Sequence, residues 1–148
     1  MTEAVQMWRG RAGRRGRSPG GTKRRADLEG PIQRAVVDRL RFELPGAIVH
    51  HSPNEVPLDG DDVRAAIAKA KRNGMVPGFP DVVVVLACRP VTLFFEVKAD
   101  GGRETKAQRE LREAATSAGH LWAVVRSQTE AVACLDAWGI NRRGVTRT

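Results

Sequence analysis

Gly78-Phe79-Pro80-Asp81, then Val82-Val83-Val84-Val85-Leu86-Ala87-Cys88, then Arg89-Pro90, then Val91-Thr92-Leu93-Phe94-Phe95-Glu96-Val97-Lys98: this stretch decides how the chain folds. Two apolar segments rich in β-branched residues, parted by an arginine-proline pair, predict strands over 82–88 and 92–98 in a tight antiparallel hairpin. The first strand is almost wholly aliphatic, which predicts burial on both faces. Alternate side chains of a strand share a face, so Glu96 and Lys98 point one way and Phe95 and Val97 the other. The hairpin can carry Asp81, at the mouth of the first strand, towards that acid and that lysine. Two carboxylates suit a hard divalent cation. A neighbouring lysine can orient a water or stabilise a developing negative charge. That is the minimum equipment for metal-assisted hydrolysis of a phosphodiester.

Blander readings exist for each residue. Asp81 follows a proline and also suits a turn acid. Glu96 and Lys98 also suit a buried ion pair. Such pairs seldom improve stability over apolar residues, and an unpaired charge in so apolar a strand is costly. A charge placed there points to a site.

Upstream, Ile32, Val36, Val37 and Leu40 recur at helical spacing, which predicts a helix from about Pro31 to Glu43, stopped by Pro45-Gly46. Glu29 and Gln33 share a face if the helix covers both, although Gly30-Pro31 can place Glu29 just outside it. Residues 47–51 predict a short strand. Asp61-Asp62 open a second helix that ends in Lys69, Lys71 and Arg72, the polarity a helix dipole prefers. Downstream, Asp100-Gly101-Gly102 turns the chain. Thr105 precedes a helix to about Ser117, with Leu111, Ala114, Ala115 and Ala118 on its apolar side and Gly119 as its stop. Gln108, three residues after Thr105, fits a capping box, and that geometry does not exclude a role in a site. Leu121–Val125 predicts a strand and Thr129–Trp138 a final helix. The order is helix, strand, helix, strand, strand, helix, strand, helix. It predicts an α/β fold, a mixed sheet of about four strands flanked by helices, with the 105–118 helix as crossover.

The chain has 148 residues, enough for one domain with a real core. No apolar run approaches the roughly 20 residues of a membrane helix, and the N-terminus lacks the apolar segment of a signal peptide. Cys88 and Cys134, each in an apolar context, do not indicate a disulfide framework, and a reduced cytoplasmic setting is expected. No metal-ligand spacing joins them to His50, His51 or His120. The net charge of +8 is uneven: Arg9, Arg11, Arg14, Arg15, Arg17, Lys23, Arg24 and Arg25 face only Glu3 in residues 1–25. Glycines interrupt that segment, so residues 1–26 read as a basic arm, disordered alone, that attracts phosphate backbones through counterion release. A merely solubilising tail is the alternative. Residues 141–148 read as a basic C-terminal tail.

Pro80-Asp81 with Glu96-Val97-Lys98 resembles the Pro-Asp…(Asp/Glu)-x-Lys nuclease superfamily. Together with Gly74–Asp81, Phe95–Asp100, Thr105-Lys-Ala-Gln108, Ala123–Ser127 and Ala137–Ile140, these residues look like a virus-type replication-repair nuclease (VRR-NUC) domain spanning about 27–140. His51-Ser-Pro-Asn-Glu55 fits the loop after that family's first strand. The small size looks like the stand-alone phage-encoded members, which would work in a bacterial host's cytoplasm. The resemblance implies a restriction-endonuclease-like core. It implies that Asp81 and Glu96, helped by the main-chain carbonyl of Val97, bind Mg²⁺ or Mn²⁺, and that Glu29 completes the metal shell. Lys98 would position or help deprotonate the attacking water, and Gln108 would orient Lys98 or contact a phosphate. Arg103, Lys106 and Arg109, near a helix start that itself favours phosphate, and Gln33 are candidate nucleic-acid contacts; each also suits a solvated surface. The resemblance implies a homodimeric endonuclease acting on branched DNA such as a four-way junction, without a small-molecule cofactor or membrane. The alternatives are a sequence-specific restriction-type nuclease, for which no base-reading domain is visible, and a non-catalytic DNA-binding module with the same fold.

Overall fold

The computed structural model describes residues 27–53 and 63–145. The expected element order is found: α1 (Glu29–Glu43), β1 (Ile48–His51), α2 (Val63–Arg72), β2 (Val82–Val85), β3 (Thr92–Val97), α3 (Lys106–Ser117), β4 (Leu121–Val125) and α4 (Gln128–Ala137). The basic arm, Asp61-Asp62 and the last residues of the C-terminal tail lie outside the described residues. Among the described residues, no helix is long and apolar enough to cross a membrane.

The four strands form one sheet in the order β1-β2-β3-β4. β1 and β2, and β2 and β3, pair antiparallel, with Val82 opposite Phe95. β3 and β4 pair parallel, with Val97 opposite Val125. A parallel partner needs a long crossover, and α3 supplies it.

One face of the sheet holds the core. Val49, Val82, Val84, Leu93, Phe95, Val97 and Val125 pack with Val36, Val37 and Leu40 of α1 and Ala131 and Leu135 of α4. The opposite face carries Glu96 and a chain of ring contacts, Phe79–Phe94, Phe94–His120 and Phe94–Trp122. α3 packs on that second face along β4, and none of its residues is buried.

Several boundaries differ from expectation. The first hairpin strand ends at Val85, so the connection is the segment 86–91 rather than a tight turn at Arg89-Pro90. Val82 and Val84 are buried, but Val83 is only half-buried and Val85 is 46% exposed, because α3 covers the second face over β4 and not over the outer strands. Cys88 falls in that connection and is exposed, so its apolar sequence context does not bury it; both cysteines are free. Leu111 and Ala115 of α3 are half-buried, whereas Ala114 and Ala118 face solvent. α4 begins at Gln128, one residue early, because the Ser127 side chain accepts from the Glu130 N–H and sets the N-cap.

α1 begins at Glu29. Asp27 Oδ1 accepts the Gly30 N–H at 2.8 Å, and Pro31 lacks an N–H in a turn where none has a helical partner. Glu29 is therefore inside the helix.

Residues 141–145, the start of the basic C-terminal tail, are held against the body. Arg142 bonds Glu43 and Asp136 at 3.2 and 3.0 Å, and the Arg143 N–H donates to the Glu43 carbonyl at 2.7 Å. Glu43 is 2% exposed, so its charge needs the Arg39 and Arg142 partners it has.

Candidate active site

The end of the sheet where β2 starts and β3 stops gathers the charged residues. Asp81 sits one residue before β2. Its carbonyl accepts the Ser52 N–H at 2.8 Å, and its carboxylate Oδ2 accepts the Val97 N–H at 2.8 Å. The side chain thereby supplies a rung of the β2–β3 ladder beyond the Val82–Phe95 pair. This fixes the carboxylate beside β3.

Glu96 is 1% exposed. Its Oε1 accepts from Lys98 Nζ at 2.8 Å and from the Gln108 side-chain amide. Its Oε2 is buried with no hydrogen-bond partner. The Asp81 and Glu96 carboxyls are close enough for their charges to act on each other. Burial pushes the Glu96 carboxyl up to about 7; Lys98 opposes the rise and the Asp81 charge adds to it. Asp81 is raised as well, by burial first, against the Val97 N–H and Lys98; the Glu29 charge raises it further. Burial alone would lower Lys98, but its hydrogen bond to Glu96 and the charges of Glu96, Glu29 and Asp81 outweigh it, and the ammonium is held above its usual range. The backbone of Lys98 is anchored by its N–H to the Val125 carbonyl at 3.0 Å.

Gln108 carries two tasks. Its Oε1 accepts the Thr105 N–H at 2.8 Å and its N–H donates to Thr105 Oγ1 at 3.2 Å, a complete capping box. The remaining amide N–H₂ is thus aimed at Glu96. The amide shares its acceptor, Glu96 Oε1, with the Lys98 ammonium. Gly78 makes this possible. It has φ +77°, and a Cβ there would lie 2.4 Å from the Ala107 carbonyl carbon and 2.6 Å from the Gln108 nitrogen. Only glycine lets the loop before Asp81 touch the start of α3.

Glu29 is brought to the same end, with its Oε1 3.3 Å from the Ala99 N–H that donates to it, and its charge is felt by Asp81 and Lys98. Gln33 lies one turn further along α1. Its amide nitrogen is 2.6 and 3.1 Å from the two ring nitrogens of His51, whose Nδ1 is 3.1 Å from the Asp81 carbonyl oxygen. Glu29, Gln33, His51 and Asp81 line a cavity of about 380 Å³. From the sequence, His51 ends a predicted strand and opens the loop that follows, without a role in the site. Its place opposite Val82 follows from the β1–β2 register, which periodicity alone does not give. Arg103, Lys106 and Arg109 lie at the exposed start of α3, outside the carboxylate cluster. Lys106 pairs loosely with Glu110 at 3.6 Å, and Arg109 is committed to the Glu104 carbonyl at 2.9 Å.

The donors fit a hard divalent cation. Glu96 keeps an unbonded buried oxygen, Asp81 keeps a second carboxylate oxygen, and both are hard ligands. Among the described residues no group of three or more histidine, cysteine or acidic side chains closes into a cage. An open shell of one or two carboxylates completed by water is the usual arrangement for Mg²⁺.

A mixed four-strand sheet with a helical crossover between its parallel pair, flanked by helices on both faces, defines an α/β fold of the restriction-endonuclease type. A solved structure described as a VRR_NUC domain protein is similar to this chain, with a TM-score of 0.57 and 23% identity over 82% of this chain and 97% of that one. The chain therefore has the VRR-NUC fold that its motifs resemble. No protein-family model matches the sequence. No curated protein matches it either.

Proposed function

We propose that the chain is a metal-dependent DNA endonuclease that hydrolyses phosphodiester bonds in branched DNA. The observation that carries this reading is the convergence of Asp81, Glu96 and Lys98 at one strand end, with Glu96 Oε2 left unbonded in the interior. Asp81 and Glu96, with the main-chain carbonyl of Val97, would hold Mg²⁺ or Mn²⁺, with Glu29 as outer support. Such an ion, when bound, lowers the pKa of its water and neutralises charge on the phosphate. Lys98 holds a positive charge beside Glu96, where it would position or help deprotonate the attacking water. Gln108 fixes the rotamer of Glu96, so that Oε1 is occupied and Oε2 remains the free donor. Burial favours the protonated Glu96 carboxyl, so a metal ion would have to displace that proton and its binding should strengthen as the pH rises.

A four-way junction has two equivalent strands to cut, so a homodimer suits it. The test is incubation of wild type and Lys98→Ala with linear duplex, flap and four-way-junction DNA in Mg²⁺, Mn²⁺ or EDTA. Junction cutting that needs metal and Lys98 supports the reading. Cutting of plain duplex at one recurring sequence would replace it with the restriction-type reading. No cutting in either metal removes the enzyme reading.

A further inference from the structure

α2 is the helix that the core does not use. None of its residues is buried; Val63, Ala66, Ile67 and Ala70 are half-covered along one side and the remainder faces solvent. Arg64, Lys69, Lys71 and Arg72 are all exposed, and no acidic residue occurs anywhere from Val63 to Pro80. Elsewhere several cations are matched: Arg39 by Glu43, Arg112 by Glu104, Lys106 by Glu110, Arg142 by Asp136. None of the four on α2 has an acidic partner among the described residues. Folded surfaces ordinarily intersperse both signs; with Asp61-Asp62 just ahead of α2 in the sequence, the positive charge is concentrated at its Lys69–Arg72 end, a local field that attracts a polyanion.

Its tether gives that field a direction. The Met75 N–H folds back onto the Ala70 carbonyl at 2.9 Å and closes the helix. The chain then reaches Gly78, in contact with the backbone of Ala107 and Gln108, and Asp81 follows. The cations concentrated at the end of α2 are thus joined by one short segment to the loop that carries a metal-binding acid and touches the Gln108 cap.

We propose that α2 is a docking helix for the DNA phosphate backbone, leading the duplex to the Asp81–Glu96 site. The proposal rests on the nuclease reading for the identity of the polyanion. It adds a binding element that lies outside the catalytic cluster and outside the start of α3.

The test compares the full chain with its R64Q/K69Q/K71Q/R72Q variant by fluorescence anisotropy on a labelled duplex in EDTA, over a series of salt concentrations. The logarithmic salt slope of binding should fall by up to about 0.9 for each phosphate that the variant no longer neutralises. A K69R/K71R variant keeps the charge and should keep the slope. Because α2 buries nothing, the quadruple variant should melt like wild type; if it does not, R64Q and K69Q/K71Q taken separately should each lower the slope. An unchanged slope in a protein that still cuts DNA overturns the α2 assignment alone. A lowered slope in a protein whose wild type cuts nothing upholds α2 as a DNA contact and removes the nuclease reading. Loss of binding to phosphatidylserine vesicles with the DNA slope intact overturns the proposal in favour of a membrane surface.

Discussion

The two faces of the sheet are built for different ends. On one, Phe95, Leu93 and Val97 are fully buried against Val36, Leu40 and Leu135. On the other, one residue along the same strand, Glu96 is equally buried but surrounded by Asp81, Lys98 and Gln108, beneath a helix that buries none of its own residues. β3 belongs to both. The apolar face supplies rigidity by excluding water. The polar face uses that rigidity to hold charges where an unsupported structure would let them relax into solvent. Stability and chemistry should therefore respond to different substitutions.

The sharpest way to break this division is Lys98→Ala. Cleavage should fall by roughly 10²–10⁴, the range for removing a positioned proton-transfer or charge-stabilising group. Removing the partner of buried Glu96 should also lower Tm at neutral pH, an effect that disappears near about pH 5, where the Glu96 carboxyl is protonated; a large fall in Tm that persists at that pH would mean that Lys98 serves the core. The converse substitution is Phe95→Ala, which should cost about 3–5 kcal/mol in urea unfolding. Leu111→Ala on half-buried α3 should cost clearly less than that. Equal losses would show that both faces carry the core.

The pH dependence sharpens the same comparison without touching the core. Glu96 is raised from 4.5 to about 7 on folding, so the folded state binds more protons than the unfolded state between those values. In EDTA, stability should therefore decline as the pH rises from about 4.5 to about 7, and Asp81, also raised, adds with the same sign. Lys98, raised above its usual value, contributes stability that is lost only at alkaline pH and does not oppose this window. Glu96→Gln should flatten the decline in a series of thermal melts; a decline that persists unaltered would place its origin elsewhere. The smallest expected effect is at the α3 start. Thr105→Ala should cost about 1 kcal/mol by removing the cap. Cleavage should change less than stability, because the residue-105 N–H that holds the Gln108 side chain remains.

Much of the fold was legible because it is written in local patterns. The β-branched run from Val82, the helical spacing of Val36, Val37 and Leu40, and the Thr105–Gln108 box each name their element. The sheet-end meeting of Asp81, Glu96 and Lys98 followed from two strands and their alternation. What local pattern does not contain is which face a helix will cover. The exposure of Val85 and Ala114 depends on where α3 comes to rest. His51 and Gly78 escape a sequence reading as site-building residues for a related reason: one acts through strand register, the other through the absence of a side chain at a tertiary contact. The start of α1 at Glu29 turned on Asp27, whose carboxylate caps from outside the helix in place of Leu28.

The rung that Asp81 contributes to the ladder has a consequence for descent. The Val97 N–H needs an acceptor at that position whether or not the chain performs any chemistry. A copy of this protein released from its function would be free to drift at Lys98, but at position 81 only a residue that still offers an oxygen at the same reach would keep the strands joined. Asp81→Asn meets that requirement while giving up the negative charge. Retired descendants of this fold should be recognisable by that exchange, an architectural relic left in place after the activity has gone.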